Sequence, residues 1–313
     1  MADTIVAVAD IGSSTVHLLV ARLGPDGALQ ALLDESVRPL LGARAAATGS
    51  IPPDAEADVL AALRRYQAAA LQLGAATLLI VATQAVRQAS NGVAMIRRLQ
   101  AALNQPVVII SPEQETRLAL LGAYGGQLPP AGLFADSGGA STQVAAVEAG
   151  RVTWQRSLPV GASSLTGTFL LDDPATPTQE AQAIRAIEGA IDMLPPPPGI
   201  GCWLPVITGG TATTIVYAGL GGCSPAELTP GCLAAAESIL RGQSSATLSL
   251  RHGMDHQRAR IVYAGCLVIR RLIDWSTAAA WRVSTNGLRE GIVRAAVADP
   301  NGWQLAVSDS GIS

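Results

Sequence analysis

The sequence contains no lysine: all 21 of its basic residues are arginine. That absence excludes a P-loop lysine, a Schiff-base lysine and the strand lysine of protein kinases. Any phosphate recognition must therefore use Arg, hydroxyls, backbone N–H groups or a metal. Charge is sparse in general, at 14% of residues against 49% hydrophobic, with a net charge of −3. Such a chain buries a sizeable core and is not disordered. Its small negative balance gives no field to attract DNA or RNA. No apolar run reaches spanning length without charge, Gly or Pro. The first ten residues carry two acids and no basic segment, unlike a signal peptide. The expectation is a soluble, cytoplasmic protein with no membrane partner. Cysteine is scarce too: Cys202, Cys223, Cys232 and Cys266 show no CxxC spacing, which reads as buried free thiols rather than zinc ligands.

What is present is an α/β pattern long enough, at 313 residues, for two domains. Residues 4–10 and 16–22 are apolar, β-prone runs around a Gly/Ser/Thr tip, and a third strand is expected over 28–37. A helix is predicted over 54–73 after Pro52-Pro53, and a buried strand over 77–82. A helix over 92–103, a strand over 107–110 and a helix from Pro112 to about 123 follow. Residues 125–130 read as a linker. The pattern then restarts: strand 133–136, tip 137–142, strands 143–147 and 151–158. Later come a helix over 176–194, a proline spacer at 195–198, a strand over 205–208 and a helix behind 209–211. A long helix over 255–274, a strand over 279–284 and a helix over 287–298 complete the chain. The expected domains are 1–127 and 128–313, with the last helix able to pack back on the first.

Both halves thus open with a strand ending in Asp, a glycine- and hydroxyl-rich turn, and two more strands. This is an internal repeat at domain scale. The tips are Asp10 with Gly12, Ser13, Ser14 and Thr15, and Asp136 with Gly138, Gly139, Ala140, Ser141 and Thr142. Glycine lets backbone approach an oxyanion and point N–H groups at it, and hydroxyls add donors. An Asp ending the preceding strand can hold Mg2+ beside the phosphates. Gly209, Gly210 and Thr211 form a third such loop before a helix, whose dipole favours phosphate. None of these is a GxGxxG dinucleotide turn.

The chain resembles the exopolyphosphatase/guanosine pentaphosphate phosphohydrolase (Ppx/GppA) family of the actin-like superfamily. The resemblance runs from residue 6 to about 293 and rests on seven motifs in order: 9–18 (ADIGSSTVHL), 82–91 (ATQAVRQASN), 110–118 (ISPEQETRL), 136–143 (DSGGASTQ), 159–162 (PVGA), 208–214 (TGGTATT) and 284–291 (STNGLREG). It implies two actin-like (ribonuclease H-like) lobes of mixed sheets flanked by helices, with an interlobe cleft. It implies hydrolysis of terminal phosphoanhydride bonds in inorganic polyphosphate or pppGpp, with Mg2+. Glu115 matches the position of the family's catalytic base. A carboxylate there can orient and deprotonate water. Arg87, read as lying in a loop after a buried strand, would clamp phosphate. Asp10, Asp136 and Gln143 take the metal positions. Asn91 reads as a helix cap, His17 as a packed strand residue, and His252 and His256 receive no role. A homodimer stays open.

The departures bear on turnover more than on fold. Gln143 stands where the family usually has Glu, Pro112 where it has Gly, and Thr116 where it has Ala. Ser14 replaces Asn, and Arg260 an acid. Ending near residue 313, the chain is expected to lack the C-terminal helical extension of longer members, which would imply less processive action on long chains. Two rival readings remain: a catalytically weakened phosphate or nucleotide sensor, and an actin-like ATP-dependent kinase or ATPase. The motif at 82–91 speaks against the latter.

Overall fold

The computed structural model describes residues 4–197, 205–224, 226–300 and 303. These fall into two compact units: the chain up to Leu128 together with the segment from Asn286 onward, and Pro129–Thr285. In the first unit the order is β1 (Thr4–Ile11), β2 (Val16–Leu23), β3 (Leu29–Val37), α1 (Leu41–Ala45) and α2 (Pro53–Gln72). It continues through β4 (Leu78–Ala82), α3 (Gln84–Gln88), α4 (Gly92–Leu103), β5 (Val107–Ile109) and α5 (Pro112–Ala123). The second unit holds β6 (Ala131–Ser137), β7 (Thr142–Glu148), β8 (Arg151–Leu158), α6 (Ala162–Thr168), α7 (Pro177–Ile191) and β9 (Val206–Thr208). After these come α8 (Gly210–Tyr217), β10 (Glu227–Leu228), α9 (Pro230–Leu240), α10 (Ser245–His252), α11 (His256–Ser276) and β11 (Trp281–Val283). The last helix, α12 (Leu288–Ala298), belongs to the first unit.

The five-stranded sheet has the order β3-β2-β1-β4-β5, with β1 antiparallel to β2 and parallel to β4. The six-stranded sheet runs β10-β11-β9-β6-β7-β8, with β6 antiparallel to β7 and parallel to β9. Without β10, the second order repeats the first. Strand alternation sorts the core. Ala7, Ala9 and Ile11 face Val59, Leu63 and Tyr66 of α2, while Val8 and Val81 face Leu118 of α5 and Ile292 and Val293 of α12. In the second unit Leu133, Ala135, Val144 and Ala146 pack with α7, α8 and α11.

Helix starts follow their capping chemistry. Ser111 caps α5 in a reciprocal box with Gln114, with Pro112 in the first turn. Asp255 caps α11 by accepting from the Arg258 N–H. The short helices α1, α3, α6, α9 and α10 add to the expected elements, and Arg87 lies on α3 rather than in a loop. Asn91 precedes α4 but does not cap it with its side chain. Instead its amide accepts from the Ile51 N–H and donates to Ile51 O, at 2.9 and 2.8 Å.

Cys223 and Cys232 are not free thiols: they form a disulfide across a Cα separation of 5.1 Å. Cys223 follows a tight 3-10 turn and Cys232 sits in the first turn of α9, so folding brings them within bridging reach. Cys266 is free and buried. Cys202 and the end of the proline spacer lie outside the described residues. Among those residues no helix is long and apolar enough to cross a membrane.

Candidate active site

The two tips share one construction. Asp10 pairs across the hairpin with His17, and Asp136 with Gln143. The Gly12 N–H donates to Thr15 O at 2.9 Å, as the Gly138 N–H does to Ser141 O at 3.0 Å. The tip carbonyls are tied to the backbone behind them. Ser13 O accepts from Gly42 N–H and Ser14 O from Leu40 N–H, at 2.8 and 3.2 Å. In the second tip, Gly138 O accepts from Ala162 N–H at 3.0 Å, and Gly139 O from the N–H groups of Ser163 and Ser164 at 2.7 and 2.9 Å. Ala140 O takes the Ser164 hydroxyl at 3.0 Å.

A trans peptide directs its N–H opposite to its C=O. Fixing those carbonyls therefore turns the N–H groups of Gly139, Ala140 and Ser141 outward together, and those of Ser14 and Thr15 likewise. Successive outward amides make a concavity suited to an anion. Gly161 closes the back of the second tip: a methyl there would lie 2.6 Å from Gly139 O and Ser141 N.

The third loop leans on the second tip. Thr208 is in register with Asp136, and Gly209, at φ 111°, packs its backbone against that of Ser137. The Arg258 guanidinium lies over Gly210, at the start of α8. Sequence reasoning gave Arg258 no role. The available signal was its place in the first turn of a long, capped helix.

Two hydroxyls expected to cradle phosphate point elsewhere. Thr142 donates to Val160 O at 2.6 Å and is fully buried. Thr211 packs against Gly265 of α11. Thr142 begins β7, so alternation sends its side chain away from the face shared by Ser141 and Gln143. On that face the Gln143 amide donates to Ser141 Oγ at 2.8 Å.

In the first unit, Glu115 and Arg87 come together. Glu115 Oε2 accepts from Arg87 Nη1 and Nη2 at 3.4 and 3.3 Å, and Arg87 Nη1 also donates to Ile110 O at 2.6 Å. Burial pushes the Glu115 carboxyl above its ordinary value, and the neighbouring guanidinium only partly offsets this. Arg87 is thus engaged by both Glu115 and the Ile110 carbonyl. Thr83, just before α3, donates its N–H to Ile11 O at 3.1 Å, and the Ile110 N–H donates to Ala82 O at 3.1 Å. These bonds hold the first tip, α3 and the start of α5 at the carboxyl ends of the parallel strands β1, β4 and β5, the usual site of ligand binding in such sheets.

Among the described residues no three His, Cys, Asp or Glu side chains gather around a metal position. An apolar cavity of about 290 Å3, lined by Val160, Leu165, Phe169, Ala190 and Met193, has no charged group in its wall and does not suit phosphate.

Repeated sheets of this order, each with an anion-turning tip at its first hairpin, define an actin-like fold with two mixed sheets. Within that class the chain belongs to the Ppx/GppA phosphatase family, which it matches over residues 19–298. It is similar to a Ppx/GppA family member of Aquifex aeolicus, with a TM-score of 0.79 and 27% identity over 96% of this chain and 99% of that one. It is 30% identical over 173 residues to exopolyphosphatase 1 of Mycobacterium tuberculosis, which covers 53% of this chain and 49% of that protein. An uncharacterised protein of Streptomyces coelicolor is 32% identical over 191 residues, covering 57% and 54%. The chain spans about half the length of the curated relatives it matches.

Proposed function

We propose that this chain hydrolyses terminal phosphoanhydride bonds of inorganic polyphosphate or of pppGpp, with Mg2+ and with water as nucleophile. The observation that carries the reading is Glu115: a carboxylate at the head of α5 with its side chain 13% exposed, raised in pKa and held by Arg87. A base poised above the ordinary glutamate range is better matched to proton transfer near neutral pH. Glu115 orients a water and takes its proton as the oxygen bonds to the terminal phosphorus. The P–O bond to the rest of the chain breaks, and its electron pair leaves with the shortened chain. The outward amides of each tip, at residues 14–15 and at 139–141, are suited to stabilising charge on phosphate oxygens.

Mg2+ commonly binds through one or two carboxylates, completed by water and substrate phosphates. Asp10 in the first unit and Asp136 in the second each offer one such carboxylate, and an ion held by Asp10 would neutralise phosphate oxygens at the first tip. The test is phosphate release from short polyphosphate, long polyphosphate, pppGpp and ATP, with and without Mg2+. Release from one of the first three, dependent on Mg2+ and exceeding that from ATP, is the expected result. A second reading, a phosphate sensor without turnover, is favoured by the uncharged Gln143 beside the second tip. Tight binding of one substrate without any release would put it first.

A further inference from the structure

The second tip contains a hydrogen bond whose direction matters. Gln143 is 2% exposed and Ser141 5%, and the amide nitrogen of Gln143 donates to Ser141 Oγ at 2.8 Å. A hydroxyl has one proton and two lone pairs. Accepting from Gln143 occupies a lone pair and leaves the proton to be given elsewhere, and no described group accepts it. Gly139, Ala140 and Ser141 already turn their N–H groups outward from this tip. We infer that Gln143 is a positioning residue that fixes the Ser141 hydroxyl as a fourth donor, so that the second tip holds a phosphate oxyanion without a divalent cation.

The contrast with a carboxylate at this position gives the reason. Glutamate carries only acceptors when ionised, so it would draw the Ser141 proton toward itself and present a lone pair to the ligand. It would also add a negative charge opposite Asp136, its cross-strand partner. Two acids beside an anion require a cation between them. One acid with four donors does not. The inference rests on the proposal that this tip binds phosphate.

The experiment is titration calorimetry of the full chain with imidodiphosphate, whose P–N–P link resists hydrolysis, in EDTA and in Mg2+. For the wild type, the two dissociation constants should agree within about threefold. Gln143→Glu should weaken binding in EDTA by about tenfold or more, the scale of losing a charge-assisted bond and gaining a repulsion, with recovery in Mg2+. Gln143→Met, of similar size but without a donor, should weaken both arms alike by roughly threefold to tenfold, the worth of one hydrogen bond. A purely structural role shifts both arms equally in every variant. Should the Glu variant fail to fold, the wild-type titration still decides, because the inference requires its two arms to agree. Wild-type binding that collapses in EDTA, or a Glu variant with the wild-type ratio between arms, overturns the inference alone. Absence of binding in both buffers overturns the phosphate reading and the inference with it.

Discussion

Glu115 lies between two influences of opposite sign, burial that raises its pKa and a guanidinium that lowers it, and burial prevails. An acid whose folded pKa exceeds its unfolded value binds more protons in the folded state, so stability falls as pH rises through that interval. Keeping Glu115 ionised at neutral pH therefore costs stability. Glu115→Gln should raise the melting temperature while cutting turnover by about 10²–10⁴-fold, the usual worth of a positioned base. An ordinary first-turn acid would give the reverse, a loss of about 0.3–1 kcal/mol with the rate unchanged. Arg87→Met removes the offsetting charge and should move the acidic limb of the kcat/KM profile to higher pH. If Arg87 only gripped substrate, KM would rise and the limb would stay in place. Both residues were legible separately, each in its own motif. Their pairing was not, because 28 residues separate them and no periodicity links strand-end to helix-start positions. Asn91 shows the same limit: its place before a helix was legible, but its partner, Ile51, is 40 residues away.

At the scale of elements, the repeated order of Asp-ended strand, tip and strand was plain in the sequence. Less visible were α1 and α6, of five and seven residues, too short for helical periodicity. Their starts nonetheless hold the tip carbonyls and so aim the amides. Which hydroxyls share a face was readable in principle: β-alternation sets Ser141 and Gln143 on one face and Thr142 on the other. The dependence of the second tip on its backing gives a test. Gly161→Ala places a methyl 2.6 Å from three tip backbone atoms, which cannot yield as a flexible side chain would. Overpacking of that kind typically costs about 1–3 kcal/mol. Affinity for imidodiphosphate should fall well beyond any change at Gly167→Ala on α6, where a methyl meets nothing. Equal effects at the two positions would mean that the backing does not shape the tip. The disulfide between Cys223 and Cys232 belongs to this scale as well, since a turn and a helix start bring together thiols that carry no motif.

For the whole molecule, the order of seven motifs made the architecture legible, but order along a chain does not say which helix covers which sheet face. The chain leaves the first unit at Leu128 and re-enters it at Asn286, and α12 closes the face of β1 opposite α2. The crossing of α12 with α5 is unusually close. A methyl on Gly291 would lie 1.7 Å from Leu118 O, and one on Gly122 would lie 1.9 Å from Gly287 O. The backbones themselves touch there, so a side chain has no room and the helices would have to separate. Separation exposes Ile292, Val293 and Leu118, each now at most 1% accessible. Burying each such side chain is worth about 1.5–3 kcal/mol, so three approach the roughly 5–15 kcal/mol that stabilises a whole domain. Gly291→Val, or deletion from Asn286 onward, should therefore unfold the first unit. The second unit has its own core, and three tryptophans there report on it: Trp154 and Trp275 in edge-to-face contact at 6.3 Å, and the fully buried Trp281. The expected result is a large loss of far-ultraviolet ellipticity, with protease cleavage before residue 128, while the near-ultraviolet contribution of these three tryptophans persists and only that of Trp303, in the first unit's core, is lost. Wild-type ellipticity in the Gly291→Val protein would show that the crossing tolerates a side chain, and that α12 is not what holds the first sheet together.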